Sequence, residues 1–511
     1  MPDASGAPVG AAVQLESESA DDIRIVSMSD VVKLALEIFL VSLAIVAAVF
    51  SNRLSTIIRV PAPALFLIAA AIAAKLVPGL AGLPRSTTEA LVTIALVFIL
   101  FDGGMRIGWR RFRKSLGAIT WLGLAGTAVT AIGLAAAAHY IFGFDVRLSL
   151  LLGAALSPTD PAVVFSVLGK REIAGRTGTI LEGESGANDP VGIALIVTLL
   201  AITGTGADAV LGGLGEFLLQ MLVGAAVGVV GGWVLAKLMR HVSLPNEALY
   251  SVRTVACAML IYGATTLLHG SGFLAVLLAG ILVGDAHAPF KREIRHFSAG
   301  VASLAEIAAF TILGLSVSMD VVLRPTVLWT GLGIAALLIF VIRPLFVGLL
   351  LIPIRLRVGE RAFVLWAGLK GAVPILLGMF ILDADIPGGE RVYAIIFVVV
   401  LVSVVLQGGL VPVLARPLRV PMRAVEPEPW ASGLRFRDRP EGLREFVVQA
   451  ASVADGATVD SLDLGEHGWV SLIRRDGKLV QVRASTRLVA GDVVLAFGDA
   501  DRGGVFESPC T

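Results

Sequence analysis

Charge and cysteine are both scarce in this chain of 511 residues. Charged residues make up only 16% of it, against about 25% in an ordinary soluble protein. The two cysteines are Cys257, in an apolar stretch, and Cys510, next to the C-terminus, so no disulfide framework or cysteine metal site is indicated. The formal net charge of +1 does not favour a nucleic-acid partner, and we expect none.

Catalytic and channel motifs are missing as well. No nucleophile–base or metal-ligand pattern occurs, so we do not expect an enzyme. No Thr-Val-Gly-Tyr-Gly selectivity-filter sequence is present, which counts against a potassium channel. Six histidines are scattered along the chain. His287 and His296 could sense pH from one loop, although histidines in such loops are more often simply solvated.

Apolar runs are abundant in the chain. Hydrophobic residues make up 56% of the sequence, and the runs are about 20 residues long, as bilayer-crossing helices require. We therefore expect an all-α polytopic membrane protein with the lipid bilayer as its surroundings. Hydropathy and length predict about thirteen spans, at 32–50, 62–80, 90–108, 116–141, 148–168, 179–203, 211–236, 246–268, 272–285, 299–318, 327–353, 361–383 and 391–415.

Loop charge orients these spans. Connections after odd-numbered spans are rich in Lys and Arg, as at Arg110-Arg111 and Lys291-Arg292, whereas those after even-numbered spans carry little positive charge. The positive-inside rule then places the odd connections and the C-terminus in the cytoplasm and the N-terminus outside. We expect a multi-pass protein of the cell inner membrane. Residues 1–31 are polar and acidic, without the pattern of a secretory signal, and are interpreted as a disordered extracytoplasmic tail.

The composition changes after the last span. Residues 416–443 are rich in proline and are interpreted as a linker. Residues 444–511 are expected to form a small cytoplasmic α/β domain, because alternating apolar positions predict strands and Arg475-Asp476-Gly477 predicts a hairpin turn. The predicted strands are 445–448, 469–473, 478–482 and 492–497.

Two acidic clusters interrupt the apolar spans. The first is Ser157-Pro158-Thr159-Asp160-Pro161 in span five, and the second is Glu182 to Pro190 at the start of span six. A carboxylate inside a membrane costs roughly 3 kcal/mol per charge or more, and proline frees backbone carbonyls. Span twelve is interrupted similarly at Gly368 to Pro374, around Lys370. Paired broken helices indicate a midplane transport site; two ordinary proline kinks are the simpler alternative.

The side chains around these breaks suggest roles. Ser185, Asn188 and Asp189 can present oxygens to one side of a helix, as a hard monovalent cation requires, although a capping cluster at a helix start is an alternative. Arg343 lies inside span eleven and should pair with a buried acid such as Glu184. Lys370 could pair in the same way or meet the ends of the broken helix.

Two further acids lie within predicted spans. Asp102 ends an apolar run of span three and is a third candidate ligand, although a position at the membrane surface fits it nearly as well. Glu306 in span ten has no assignable partner.

The motifs in residues 30–415 resemble the NhaP-type branch of the bacterial cation/proton antiporters. The resemblance implies a dimeric, NhaA-like fold with inverted repeats and crossed, broken helices. It implies that Asp189 alternates between a cation and a proton, and that Glu184 and Arg343 form a buried ion pair. Lys370 departs from the Arg that is usual in the family. The residues that the resemblance adds to the site of Asp189 are Asp160, Asn188, Thr159, Ser185 and, in a position where the family often has an acid, Asp102.

Residues 444–500 resemble the C-terminal half of the RCK (TrkA-C) modules, which are found on potassium transporters. That resemblance favours K⁺ over Na⁺ as the transported ion. No cofactor is expected, and whether a nucleotide regulates the tail is left open.

Taken together, these patterns predict electroneutral exchange of one cytoplasmic K⁺ or Na⁺ for one external H⁺ by a homodimer. The alternatives are a K⁺ efflux channel or uniporter gated by the tail, a sensor that has lost transport, and a solute symporter, for which the sequence offers no large aromatic pocket.

Overall fold

The computed structural model describes residues 60–81, 84–160, 162–168, 171–173, 175–202, 207–424, 443–462, 469–476 and 478–497, with five single helical positions between residues 35 and 50. The chain divides into two compact units, Met1–Ala424 and Val425–Thr511. The tail predicted at 1–31, most of the first predicted span and residues 425–442 of the linker lie outside the described residues.

Helices make up most of the first unit, and predicted spans two to thirteen each have a helical counterpart. The total of thirteen stays a prediction, because span one lies outside the described part. The helices are α1 (Ala62–Leu76), α2 (Arg85–Thr120), α3 (Thr127–Tyr140), α4 (Val146–Ala155), α5 (Ala162–Leu168), α6 (Gly175–Ala201), α7 (Ala207–His241), α8 (Glu247–Leu267), α9 (Gly272–Gly284), α10 (Lys291–Leu315), α11 (Met319–Val322), α12 (Pro325–Leu337), α13 (Gly348–Leu350), α14 (Val358–Trp366), α15 (Ala372–Asp383), α16 (Gly389–Val402) and α17 (Gly409–Ala415).

Several of these helices are long enough to cross a bilayer. Within the described residues, six helical runs are long and apolar enough by length and composition, and four apolar helices are shorter. Short π-helical segments continue three of the runs: Trp121–Gly126 joins α2 to α3, Leu338–Val347 joins α12 to α13, and Ser403–Gly408 joins α16 to α17.

Spans three and four differ from expectation. Residues 109–115 are expected to form a cytoplasmic loop because of their positive charge, but they are helical: two helices meet at a kink at Gly108 within the stretch Arg85–Tyr140. The run bends at Gly108, whose φ of 67° suits glycine. Asp285 fixes this bend, because its carboxylate accepts a hydrogen bond from the Arg110 backbone N–H at 2.6 Å. A pinned kink thus replaces the expected loop.

Two helices of the first unit are broken in mid-span, as the proline and glycine patterns predict. Residues 156–160, here called the first crossover, follow α4, and residues 367–371, the second crossover, separate α14 from α15. Both are buried. Their backbones meet where the Asp160 N–H donates to the Leu369 carbonyl at 2.8 Å. The breaks therefore lie against each other.

A short strand pair also belongs to the first unit. Strand β1 (Arg171–Ile173) precedes α6, and β2 (Met422–Ala424) follows α17; they pair antiparallel with Ile173 opposite Met422. The end of the membrane unit is thereby tied to the segment that enters α6. Three-residue strands carry too little alternation to be found in the sequence.

The second unit contains an antiparallel four-stranded sheet in the order β3-β6-β4-β5. Its strands confirm the predicted strand segments and the hairpin between β4 and β5. Their bounds are β3 (Leu443–Val447), β4 (Trp469–Arg475), β5 (Lys478–Val480) and β6 (Val493–Phe497).

The expected α/β character of this unit is not seen in its described residues. Between β3 and residue 462 the chain forms turns and one 3₁₀ turn at Val459–Ser461, and positive φ angles at Ala451 and Gly456 interrupt helical geometry there. Hydrogen bonds from Arg475 to Asp492 hold the pKa of that carboxyl below its ordinary value. This acid and base satisfy each other, so their role is structural.

Candidate cation and proton site

Helix α6 presents a polar face in the middle of the first unit. Ser185, Asn188 and Asp189 are all buried, with at most 8% of each residue exposed. The helix begins at Gly175, and its first turn contains no acid, so the capping alternative is wrong. A Cβ on Gly192 would lie 2.3 Å from Pro158, which shows how closely this helix packs on the first crossover.

Three hydrogen bonds join α6 to the first crossover at Thr159. The Thr159 N–H donates to Asn188 Oδ1 at 3.2 Å, and Asn188 Nδ2 donates to Thr159 Oγ1 at 2.8 Å. The hydroxyls of Thr159 and Ser185 lie 3.0 Å apart. Asn188 thus uses both ends of its amide to hold the crossover, and this neutral residue fixes the geometry beside its charged neighbour, Asp189.

Asp189 carries an unsatisfied acceptor on this face of α6. Its Oδ1 atom is buried and has no hydrogen-bond partner within the described part of the chain. The charges of Asp160 and Lys370 both act on its carboxyl group. A buried oxygen without a partner costs free energy unless something binds it. This oxygen can take a proton or a cation, and the repulsion from Asp160 favours either one.

Lys370 projects from the second crossover into the first. Its side chain is fully buried, with 1% of the residue exposed, and Nζ donates to the carbonyls of Ser157 at 3.0 Å and Pro158 at 2.9 Å. These carbonyls follow the C-terminal end of α4, where the helix dipole favours a cation. Of the two roles suggested by the sequence, the hydrogen bonds place Lys370 at the helix end.

Glycine at the second crossover makes room for the acid of the first. A Cβ on Gly371 would lie 1.9 Å from Asp160 Oδ2, so any side chain there would displace the carboxylate. Together with the bond from Asp160 N–H to Leu369, this contact sets the position of Asp160. The two crossovers therefore interlock, each occupying space that the other leaves.

Hydrogen bonds through Ser403 and Gln407, which the sequence did not lead us to expect, support the second crossover. The Lys370 N–H donates to Ser403 Oγ at 3.0 Å, and Ser403 Oγ donates to Gln407 Oε1. Gln407 Nε2 donates to the Trp366 carbonyl at 3.0 Å, at the end of α14. Two buried polar residues one turn apart in an otherwise apolar span were the available signal.

The structure brings Glu184 and Arg343 together. Arg343 Nη2 lies 2.9 Å from Glu184 Oε1, and both side chains are at most 4% exposed. Arg343 also donates to the carbonyls of Leu365 at 2.9 Å and Val364 at 3.3 Å. A Cβ on Gly368 would lie 2.0 Å from the guanidinium carbon. The pair therefore ties α6 to the end of α14, next to the second crossover.

The remaining predicted residues lie elsewhere. Asp102 is buried in α2 and forms an ion pair with Arg106 on the next turn of the same helix, at 2.7 Å. It does not belong to the Thr159 network described above. His287 and His296 are exposed, but the prediction of one shared loop is wrong, because His296 lies in α10. Glu306 lies in α10, and its Oε1 atom is buried.

Comparisons with known proteins bear on the first unit. Residues 40–416 match the family described as sodium/hydrogen exchanger, transmembrane. The chain is 38% identical over 388 residues to the K(+)/H(+) antiporter NhaP of Alkalimonas amylolytica, which covers 75% of this chain and 66% of that protein. It is 34% identical over 422 residues to the K(+)/H(+) antiporter NhaP2 of Shewanella sp. (strain MR-4), covering 81% and 72%.

A solved structure gives the same indication for the fold. The sodium proton antiporter MjNhaP1 from Methanocaldococcus jannaschii is similar with a TM-score of 0.63 at 22% identity, and the match covers 73% of this chain and 99% of that one. At this identity the likeness shows a shared helical membrane fold.

Proposed function

Because the chain belongs to the sodium/hydrogen exchanger family, we propose that it exchanges a cytoplasmic monovalent cation for external protons. K⁺ is the favoured cation, because the relatives at 34% and 38% identity are named K(+)/H(+) antiporters; Na⁺ is the alternative. The observation that carries the proposal is the buried, unbonded oxygen of Asp189, on which the charges of Asp160 and Lys370 act.

Competition at one carboxylate supplies the exchange. Asp189 binds a cation when ionised and releases it when protonated, so one proton replaces one monovalent cation. Asn188 next to it carries no charge, which makes the exchange electroneutral. Oxygens of Asp160, Thr159 and Ser185 complete the cation site, because hard cations prefer carboxylate, hydroxyl and carbonyl ligands.

Alternating access follows from the interlocked crossovers. They join two helical halves at one point, and we propose that these are inverted repeats in an NhaA-like arrangement, with one bundle moving against the other around the site. Because the contacts of Lys370 are buried within the crossovers, they are proposed to persist while the bundles move. The functional assembly is proposed to be a homodimer.

We also propose the location and orientation of the protein and the role of its C-terminal domain. The protein lies in the cell inner membrane as a multi-pass chain of about thirteen spans, with the N-terminus outside and the C-terminus in the cytoplasm. Residues 444–511 form a regulatory RCK (TrkA-C)-like domain, for which the four-stranded sheet supports a separately folded module. Transport serves cation and pH homeostasis.

The substitution Asp189→Asn tests this function. It preserves size but removes the charge, so K⁺-dependent proton movement in everted membrane vesicles should disappear, as followed with a pH-sensitive dye. Asp208→Asn is the matched control, since Asp208 is exposed at the start of α7 and its loss should leave exchange unchanged. Exchange retained by the Asp189 variant would refute the assignment, and K⁺ flux without proton counterflow in the native protein would indicate the channel or uniporter.

A further inference from the structure

Glu306 is a partly buried acid that the exchange mechanism above does not use. It lies in the interior of α10, a helix long and apolar enough to cross the membrane. Its Oε1 atom is buried without a hydrogen-bond partner in the described part of the chain. A carboxylate in a membrane span costs roughly 3 kcal/mol, and a group that binds its free oxygen would offset part of that cost. This oxygen is available to a ligand.

The helices around Glu306 connect it to two charged regions. Helix α10 packs against α1, α2, α8 and α15. Helix α2 carries the Asp102–Arg106 pair, and α15 begins directly after Gly371, the residue that accommodates Asp160. The helix of Glu306 therefore contacts both the helix that carries this pair and the helix that follows the second crossover.

The charges that act on Glu306 come from these same two regions. They are the Asp160 carboxylate and the Arg106 guanidinium. Arg106 has 58% of its side chain exposed, whereas its partner Asp102 has only 7% exposed. Asp102, Glu306 and Asp160, which we call the acid series, thus lie on neighbouring elements that include an ion pair with an exposed arginine and the exchange centre.

A cation entering a medium of low dielectric constant needs negative charge along its way, because each carboxylate lowers the electrostatic barrier locally. Within the acid series, Asp102 is neutralised by Arg106, and Asp160 belongs to the final site. Glu306 is the remaining member, and its Oε1 atom has no hydrogen-bond partner within the described residues.

We propose that Glu306 binds the transported cation transiently, between the Asp102–Arg106 pair and the centre at Asp160 and Asp189. This inference rests on the proposed exchange function. The ligand is a hard monovalent cation that keeps part of its hydration shell, since one carboxylate alone cannot replace it. The Glu306 carboxylate helps the cation to reach the centre. Its loss should therefore change the apparent affinity for the cation more than the maximal rate.

The test measures K⁺-dependent exchange by the full-length protein in proteoliposomes at one fixed pH. For Glu306→Gln, the K⁺ concentration at half-maximal rate should rise roughly 5- to 20-fold, which corresponds to about 1–2 kcal/mol of lost interaction. The maximal rate should change less than about twofold, because the exchange centre is intact. Glu247→Gln is the matched control, since Glu247 is exposed at the start of α8.

A second variant keeps the inference testable if the first does not accumulate. Glu306→Asp keeps the charge on a shorter side chain, so the half-maximal K⁺ concentration should rise by less than in Glu306→Gln while the maximal rate stays. An unchanged half-maximal concentration in these variants would overturn the inference. So would a loss of maximal rate as complete as in Asp189→Asn, because Glu306 would then belong to the centre.

The Asp189→Asn variant in the same preparation separates the two proposals. If Asp189→Asn still exchanges, the function assigned to the centre fails, whatever Glu306 does. If Asp189→Asn is inactive and both Glu306 variants behave like native protein, only the role of Glu306 fails.

Discussion

The two crossovers break their helices in the same way but carry opposite charges. The first contributes the acid Asp160 and the second the base Lys370. Lys370 has a structural role, since its ammonium group donates hydrogen bonds to the Ser157 and Pro158 carbonyls. Asp189, on the neighbouring helix α6, is different, because its buried Oδ1 atom has no hydrogen-bond partner in the described residues. This centre therefore holds its positive charge in place by hydrogen bonds and leaves negative charge for the transported ion.

Removing the positive charge of Lys370 should have the largest effect on stability and on exchange. Lys370→Met keeps the apolar stem but leaves the two carbonyls without a donor, which should lower the free energy of unfolding by roughly 2–4 kcal/mol and abolish exchange. Thermal unfolding of the purified protein and vesicle exchange measure the two effects.

Lys370→Arg is the control, since it retains a cation and donors for the same carbonyls. This variant should accumulate in the membrane and unfold within a few degrees of the native protein. Native stability in Lys370→Met would show that the lysine does not hold the first crossover.

A smaller and more selective effect is expected when the fit between the crossovers is disturbed. Gly371→Ala places a Cβ where the Asp160 carboxylate lies, and a displacement of about 1 Å at a reacting group can cost roughly 100-fold in rate. Exchange should fall by roughly 10- to 100-fold, as measured by initial rates in proteoliposomes.

Gly117→Ala is the matched control for this fit, because a Cβ at Gly117 in α2 would meet no atom within 4 Å. It should exchange at the native rate. A Gly371→Ala variant with native exchange would mean that the position of Asp160 is not set by the second crossover.

The sequence predicted the breaks because their causes are local. Proline and glycine interrupt helices wherever they occur, and a charge next to them in an apolar span signals a site. The strands of the second unit were found for a similar reason, through alternation and a turn signal.

The contacts between the breaks could not be predicted in the same way. Lys370 reaches a carbonyl 213 residues away, and no local pattern distinguishes that partner from Glu184. The space beside Gly371 that Asp160 occupies depends on packing between distant segments. The same is true of the hydrogen bonds through Ser403 and Gln407. The cluster of positive residues near Arg110 led to a wrong prediction of a loop. Positive residues indicate the cytoplasmic side of a membrane, but they occur there in helices as well as in loops.

The most direct test of the central claim is proton release on cation binding. Adding K⁺ to the purified full-length protein in a weakly buffered solution should release about one proton per bound cation, because cation and proton share the Asp189 carboxylate. The Asp189→Asn variant should release none. K⁺ binding without proton release by the native protein, or equal release by the variant, would contradict the account.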